Sequence, residues 1–314
     1  MHIYPLLSTV RIQFLSRSLP YLATCILGFS LLLAFPDRSL ATTNLPDRFN
    51  AGIVQLQQGN YSEALEHFTG AIERGINPGA AYGNRCLTRI HLQDYINAWQ
   101  DCTRSLQHRS SATVYFHRGL AFYRLGEHDR ALDDYNRSIA LQPTYYPAYY
   151  NRGLVHSARK NHSLAITDFN QSLRQMTAPD PVSLASIYTD RAASYLALGN
   201  LNAARADLDR SLHLDKNYPP TYYHRACLSR RLHRFPEAID DFNRALALDP
   251  RLADAYIQRG LLLDRLGYPR SALEDLHRGA DYFHHQGHRE NYRSVLTLIE
   301  RVRDRLSRHA NLIV

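Results

Sequence analysis

A chain of 314 residues with 45% hydrophobic content can bury a large core. Its net charge of +8 is almost wholly arginine, since Lys160 and Lys216 are the only lysines among 37 cationic residues. That charge is spread along the chain rather than clustered, which argues against a dedicated polyanion site. No HExxH, GxSxG, phosphate loop or CxxC pair is present, so the common hydrolase, nucleotide-binding and redox signatures are missing.

The first segment reads as an export signal. Arg11 and Arg17 precede an uncharged apolar run from Leu19 to Phe35, and Ser39-Leu40-Ala41 offers the small residues a signal peptidase needs. The run is long for a signal core and short for a membrane span. Residues 1–41 are therefore a signal peptide cleaved after Ala41 or a retained N-terminal anchor, and both readings stay open. The preceding arginines place everything after the run on the non-cytoplasmic side, in a periplasm or equivalent lumen.

Beyond it, small residues recur at Gly52, Cys86, Gly119, Gly153, Ala192, Ala226 and Gly260, in steps of 34, 33, 34, 39, 34 and 34 residues. A second small column follows twelve residues later at Ala64, Ala98, Ala131, Ala165, Ala204, Ala238 and Ala272. Seven coincidences at one period define a repeat. Each unit divides into two helical stretches. In the third, Ala112 to Leu125 is broken by Gly126-Glu127, and Asp129 to Leu141 then carries Leu132, Tyr135 and Ile139 at helical spacing. Short helices of this kind must bury their apolar stripes on neighbours. The small columns let the two helices of a hairpin approach closely.

Tyr115, Gly119, Tyr123, Gly126, Ala131, Tyr135 and Pro143 follow the signature of the tetratricopeptide repeat (TPR), which the chain resembles from about Leu45 to His284. The resemblance implies an all-α fold: a right-handed superhelical solenoid of seven helix-turn-helix repeats over residues 45–284. Two departures stand out. The second unit carries Cys86 and Cys102 where others have Gly and an aromatic, and the seventh has no closing proline. The 39-residue step contains Met176-Thr177-Ala178-Pro179-Asp180-Pro181, read as a tolerated surface loop or as a bend dividing four units from three. Residues 285–314 form a capping helix and tail, with Val295, Ile299, Val302 and Leu306 on one side.

An arginine stands directly before the small residue in six units: Arg85, Arg118, Arg152, Arg191, Arg225 and Arg259. An acidic column runs down the second helices at Asp101, Asp134, Asp168, Asp207, Asp241 and Asp275. Arg118 precedes Gly126 by eight residues and Asp134 follows it by eight, so both sit at one height of the hairpin. The first unit lacks both, with Ala51 and His67 in their places. The columns predict an Arg–Asp ladder, within units or between neighbours. These six arginines are then not free to bind a ligand.

The resemblance further implies a concave groove lined by the first helices. Carried onto this chain it selects Phe116, Leu120, Tyr123 and Arg124, then Tyr150, Leu154 and Ser157. It also selects Tyr223, Cys227, Arg230 and Arg231, and finally Ile257, Leu261, Asp264 and Arg265. Aromatic surface edged with arginine suits a peptide of some acidic character, although several of these residues serve equally well as packing. Cys86 and Cys102 flank the second turn at nearly equal distances. They admit a disulfide or an exchange of volumes, Gly growing as the aromatic shrinks, and the exchange is the expectation. His284, His285 and His288 have no carboxylate or cysteine to complete a metal set. The chain is thus expected to be a non-catalytic scaffold without cofactor or metal. It would bind a protein or peptide partner and touch the membrane only through its N-terminal segment. The alternative is a helical-repeat RNA-binding protein using the arginine-rich surface; the export signal and the internally neutralised arginines oppose it.

Overall fold

The structure is a computed structural model describing residues 48–177 and 180–311. The expected signal or anchor at 1–41 lies outside the described residues, as do Ala178 and Pro179 of the insertion. Fifteen helices and no strand occur among the described residues. Seven hairpins come in order: α1 (Arg48–Gln58) with α2 (Tyr61–Glu73), α3 (Pro78–His91) with α4 (Tyr95–His108), and α5 (Ala112–Arg124) with α6 (His128–Leu141). Then come α7 (Tyr146–Ala158) with α8 (His162–Gln175), α9 (Pro181–Ala197) with α10 (Leu201–Leu214), α11 (Pro219–Arg231) with α12 (Phe235–Leu248), and α13 (Ala253–Arg265) with α14 (Pro269–His285). A last helix, α15 (Arg289–Asn311), follows. Among the described residues, no helix is long and apolar enough to cross a membrane. The array falls into two compact units, one ending at Ser183 and one beginning at Leu184, so four hairpins stand on one side of the long step and three on the other.

Each hairpin turns through one residue of left-handed backbone. Gly59, Gly126, Gly199 and Gly267 take it with φ between 79° and 87°. Gln93, Lys160 and His233 adopt it at the equivalent place with φ of 60° to 63°, despite the cost to a residue bearing a Cβ. Past the turn, the alanine column packs without exposure: Ala64, Ala98, Ala131, Ala165, Ala204, Ala238 and Ala272 are all at 0%. The first column meets the ring column of the second helix. A Cβ on Gly119 would lie 2.9 Å from the Tyr135 ring, and one on Gly153 2.8 Å from that of Phe169. Gly52 stands in the same relation to Phe68.

This contact explains the second hairpin. Cys86 and Cys102 occupy the two positions that face each other as Gly52–Phe68, Gly119–Tyr135 and Gly153–Phe169 in their units, and their Cα atoms are 5.3 Å apart. They form a disulfide, and the expected exchange of volumes is corrected accordingly. Other side chains fasten the hairpins as well. Ser105, Ser172 and Ser211 each donate to a carbonyl 26 residues earlier, on Gly79, Tyr146 and Ala185. Thr189, Ser211 and Thr221 hydrogen-bond to one another at 2.8–2.9 Å and join the fifth hairpin to the sixth.

The arginine and aspartate columns pair within each unit. Arg85–Asp101, Arg118–Asp134, Arg152–Asp168, Arg191–Asp207, Arg225–Asp241 and Arg259–Asp275 are all bidentate through Nε and Nη2, at 2.6–2.9 Å. The same guanidinium also reaches back to the preceding second helix. Arg85 Nη1 donates to Thr69 and Arg118 Nη1 to Thr103, both at 3.1 Å, while Arg152 reaches Asn136 and Arg259 reaches Asn243. Each guanidinium also lies over the tyrosine three residues before it (Tyr82, Tyr115, Tyr149, Tyr188, Tyr222 and Tyr256), at 5.3–5.6 Å from the ring centre.

At the C-terminal end, α15 lays Val295, Leu298, Ile299 and Val302 on Ala253, Ile257, Leu276, Ala280 and Phe283. It thereby covers the apolar flank that no eighth hairpin occupies.

Two outcomes test this account. Arg118→Met strands a buried carboxylate and should cost about 3–5 kcal/mol. Adding Asp134→Leu should cost less than the two single losses summed; additive losses in urea unfolding of the four proteins would remove the pair. Reduction of Cys86–Cys102 opens a crosslink across 16 residues. It should lower stability by about 2–4 kcal/mol, and Cys86→Ser should then be insensitive to reductant in thermal unfolding.

Candidate functional site: the face of the first helices

Within each compact unit the first helices of successive hairpins touch, α1 on α3, α3 on α5, α5 on α7, and α11 on α13. Their shared face holds the residues selected as a groove, but at different depths. Phe116, Tyr150 and Tyr223 are not surface anchors. They are 6–7% exposed, with rings 5.9–6.1 Å from those of Tyr135, Phe169 and Phe242 on the second helices. Leu120 and Ile257 are likewise in the core. The physical reason is the glycine column: with no side chain beside it, the second-helix ring slides across and buries the neighbouring aromatic.

What remains at the surface is more polar. Tyr123, Arg124, Leu154, Ser157, Cys227, Arg230, Leu261 and Asp264 are half-buried, and Arg231 and Arg265 are exposed. Arg124 lies 5.8 Å over the Tyr95 ring and Arg265 5.0 Å over that of Phe235. Arg231 donates to the Leu196 carbonyl, and Asp264 accepts from Arg305. The basic edge expected of this face is therefore partly held by the array itself.

A second set lies on the same face, of which sequence reading singles out only Asn84 and Asn151. The residue just before each ladder arginine is polar and largely sunk: Asn84, Asn151 and Gln258 are 6–8% exposed, with His117 and His224 in the same column. The two asparagines donate to carbonyls one turn back, on Ala80 and Pro147. Burial pushes both histidines down to about 4, with His91 adding to the effect at His117. In α13, burial raises the Asp254 carboxyl to about 6, and in α11 it raises the Cys227 thiol to about 11. Their signal was present in the sequence, as a polar residue fixed one step ahead of each arginine. Among the described residues, no group of three metal-ligating side chains converges.

An array of antiparallel helical hairpins belongs to the class of helical-repeat proteins. Comparison with known proteins is specific. The tetratricopeptide repeat pattern matches residues 112–145, 146–175 and 219–252, the third, fourth and sixth hairpins. The chain is a tetratricopeptide repeat protein. It is 28% identical over 98 residues to human tetratricopeptide repeat protein 6, a match covering 31% of this chain and 19% of that one. A tetratricopeptide repeat protein from Parabacteroides merdae superposes with a TM-score of 0.63 at 18% identity, over 79% of this chain and 97% of that one. The structure of the APC/C hetero-tetramer Cut9-Hcn1 gives 0.64 at 16% identity, over 82% of this chain and 53% of the other. These likenesses establish the fold.

The buried histidines predict an acid weakness. Their folded values near 4 lie below the ordinary 6.5, so the unfolded chain binds more protons between those limits. Stability from each histidine is complete above about pH 6.5 and is lost as pH falls toward 4. His117→Asn and His224→Asn should each flatten the difference in unfolding free energy, measured by urea titration, between pH 7.5 and 4.5 by about 1–3 kcal/mol. An unchanged difference would show that neither ring is buried neutral.

Proposed function

We propose that this chain is a non-catalytic scaffold that holds a segment of a partner protein against the face of its first helices. It acts beyond the cytoplasmic membrane, in the assembly or maintenance of an envelope or membrane complex. The observation that carries the reading is the division of labour in every hairpin. The ladder spends six arginines and six aspartates on the array, while the first-helix face keeps Tyr123, Arg124, Leu154, Arg230 and Leu261 at half-burial. Such a face exists before the partner arrives, so the array loses little ordering entropy on association. Tetratricopeptide repeats generally serve protein–protein contacts rather than catalysis. The arginine edge favours a partner with some acidic character.

Compartment is supported by two features. The N-terminal run resembles an export signal, and the Cys86–Cys102 disulfide suits an oxidising environment. RNA binding draws no support from the ladder arginines, whose charge is matched one for one by aspartate.

A photocrosslinking side chain placed at Ser157 or at Leu261, both at half-burial on this face, tests the scaffold. In the native membrane fraction it should yield one recurrent protein adduct. Adducts to RNA, or none above an outer-face control at Arg137, would sink the proposal.

A further inference from the structure

Hairpins three to seven each carry two fastenings: the Arg–Asp pair and a large apolar side chain at the centre of the second helix. That central residue is Phe68, Tyr135, Phe169, Leu208, Phe242 or Leu276 in six hairpins, always at 0% exposure. In the second hairpin it is Cys102, equally buried and bonded to Cys86. A thiol is much smaller than a phenyl or isobutyl group. Without its bond, the second hairpin therefore buries less apolar surface at its centre than any other. The bond also lies in the apolar cluster that Val114, Leu120 and Ala121 of α5 share, so it supports the joint to the third hairpin. Arg85 and Asp101 directly precede the two cysteines and set them opposite each other, but such a pair supplies register more than stability.

The first hairpin lacks the other fastening. It has Ala51 and His67 where the ladder pair would stand, and it packs on the array through α3. A hairpin in a linear array is held by its neighbours, so loosening the second also releases the first.

We propose that the first two hairpins, residues 48–108, form an oxidation-gated module that closes onto the array only when Cys86 and Cys102 are joined. This goes beyond the scaffold reading and takes from it only the compartment in which the oxidant is met. Both cysteines are wholly buried once the hairpin is closed, so the bond forms on an open hairpin and is afterwards shielded from reductant. The oxidant is a protein disulfide. The thiolate of one cysteine attacks a sulfur of that disulfide, giving a mixed disulfide and freeing one thiolate of the oxidant. The second cysteine's thiolate then attacks the sulfur of the first and expels the other. Two electrons and the two thiol protons pass to the oxidant, which leaves as a dithiol. In a reducing cytoplasm the module stays open, so the leading end of the repeats is not locked before the chain has crossed. Closure then adds α3 to the first-helix face.

Hydrogen exchange read by mass spectrometry on the full chain tests the gate. Wild type is compared oxidised and after reduction in denaturant, with refolding into buffer that holds reductant. Peptides from residues 48–108 should lose protection at least about tenfold on reduction, while those from residues 184–285 exchange as before. The variant Cys86→Gly/Cys102→Phe restores the pairing of the first and fourth hairpins and should keep its protection with reductant present. Reduced wild type protecting residues 48–108 as well as oxidised wild type would overturn the gate. So would a Gly/Phe variant as labile as reduced wild type, since the bond would then not be standing in for a ring. Cys86 and Cys102 recovered as free thiols from the native membrane fraction, with the purified protein behaving as expected, would remove the exported location and leave the gate standing.

Discussion

In six hairpins one guanidinium clamps the two helices together, and at Arg85, Arg118, Arg152 and Arg259 it holds a third as well. Its Nε and Nη2 clamp an aspartate on the partner helix, its Nη1 reaches the preceding second helix, and its plane lies on a tyrosine of its own helix. Lysine could not do this, because a single ammonium has no fork to divide between two helices. The paucity of lysine in so basic a chain fits that demand. A buried ion pair is weak evidence for net stability, but it is good evidence for register. Arginine and aspartate stand at equal distances from the turn, so a hairpin that slipped by one residue would strand a charge in the core. The pair fixes six hairpins internally, and at Arg85, Arg118, Arg152 and Arg259 the same guanidinium also ties the hairpin to the one before it.

The second constraint is steric. In the first, third and fourth hairpins a ring from the second helix lies across a glycine of the first, with Leu276 taking its place against Gly260, and much near that contact follows from it. It brings the Cα atoms close enough that cysteines at the same two positions are bonded. It also draws Phe116, Tyr150 and Tyr223 inward, so the aromatic residues that look most like anchors in the sequence are the ones committed to packing.

This separates what was legible in the sequence from what was not. The repeat, the hairpins, the capping helix and both ladder columns could be read, because the same interaction recurs in nearly every unit and leaves a column. Whether a ladder pair lay within or between units was not readable, since the two distances along the chain are similar. The pair lies within the unit, and at Arg85, Arg118, Arg152 and Arg259 the same guanidinium also hydrogen-bonds a Thr or Asn of the preceding second helix. Depth on the first-helix face was also hidden. Helical periodicity says that residues 116, 120 and 123 share a side, but the ring opposite decides which are submerged. The family pattern matches the third, fourth and sixth hairpins. The others have lost a signature residue while keeping the geometry: the second by its cysteines, the fifth by its longer approach, the seventh by its missing proline.

The polar column ahead of the arginines changes how the face should be understood. A helix stripe built only for packing would place hydrocarbon where His117 and His224 stand, and leucine or alanine where Asp254 stands. Instead burial holds the histidines neutral and resists ionisation of the acid, so these groups respond to pH in opposite senses. The histidines favour the folded array above about pH 6.5, whereas ionised Asp254 works against it. Rigidity from the ladder is what lets such a group persist, because hairpins fixed at both ends cannot relax to bury or expose it further.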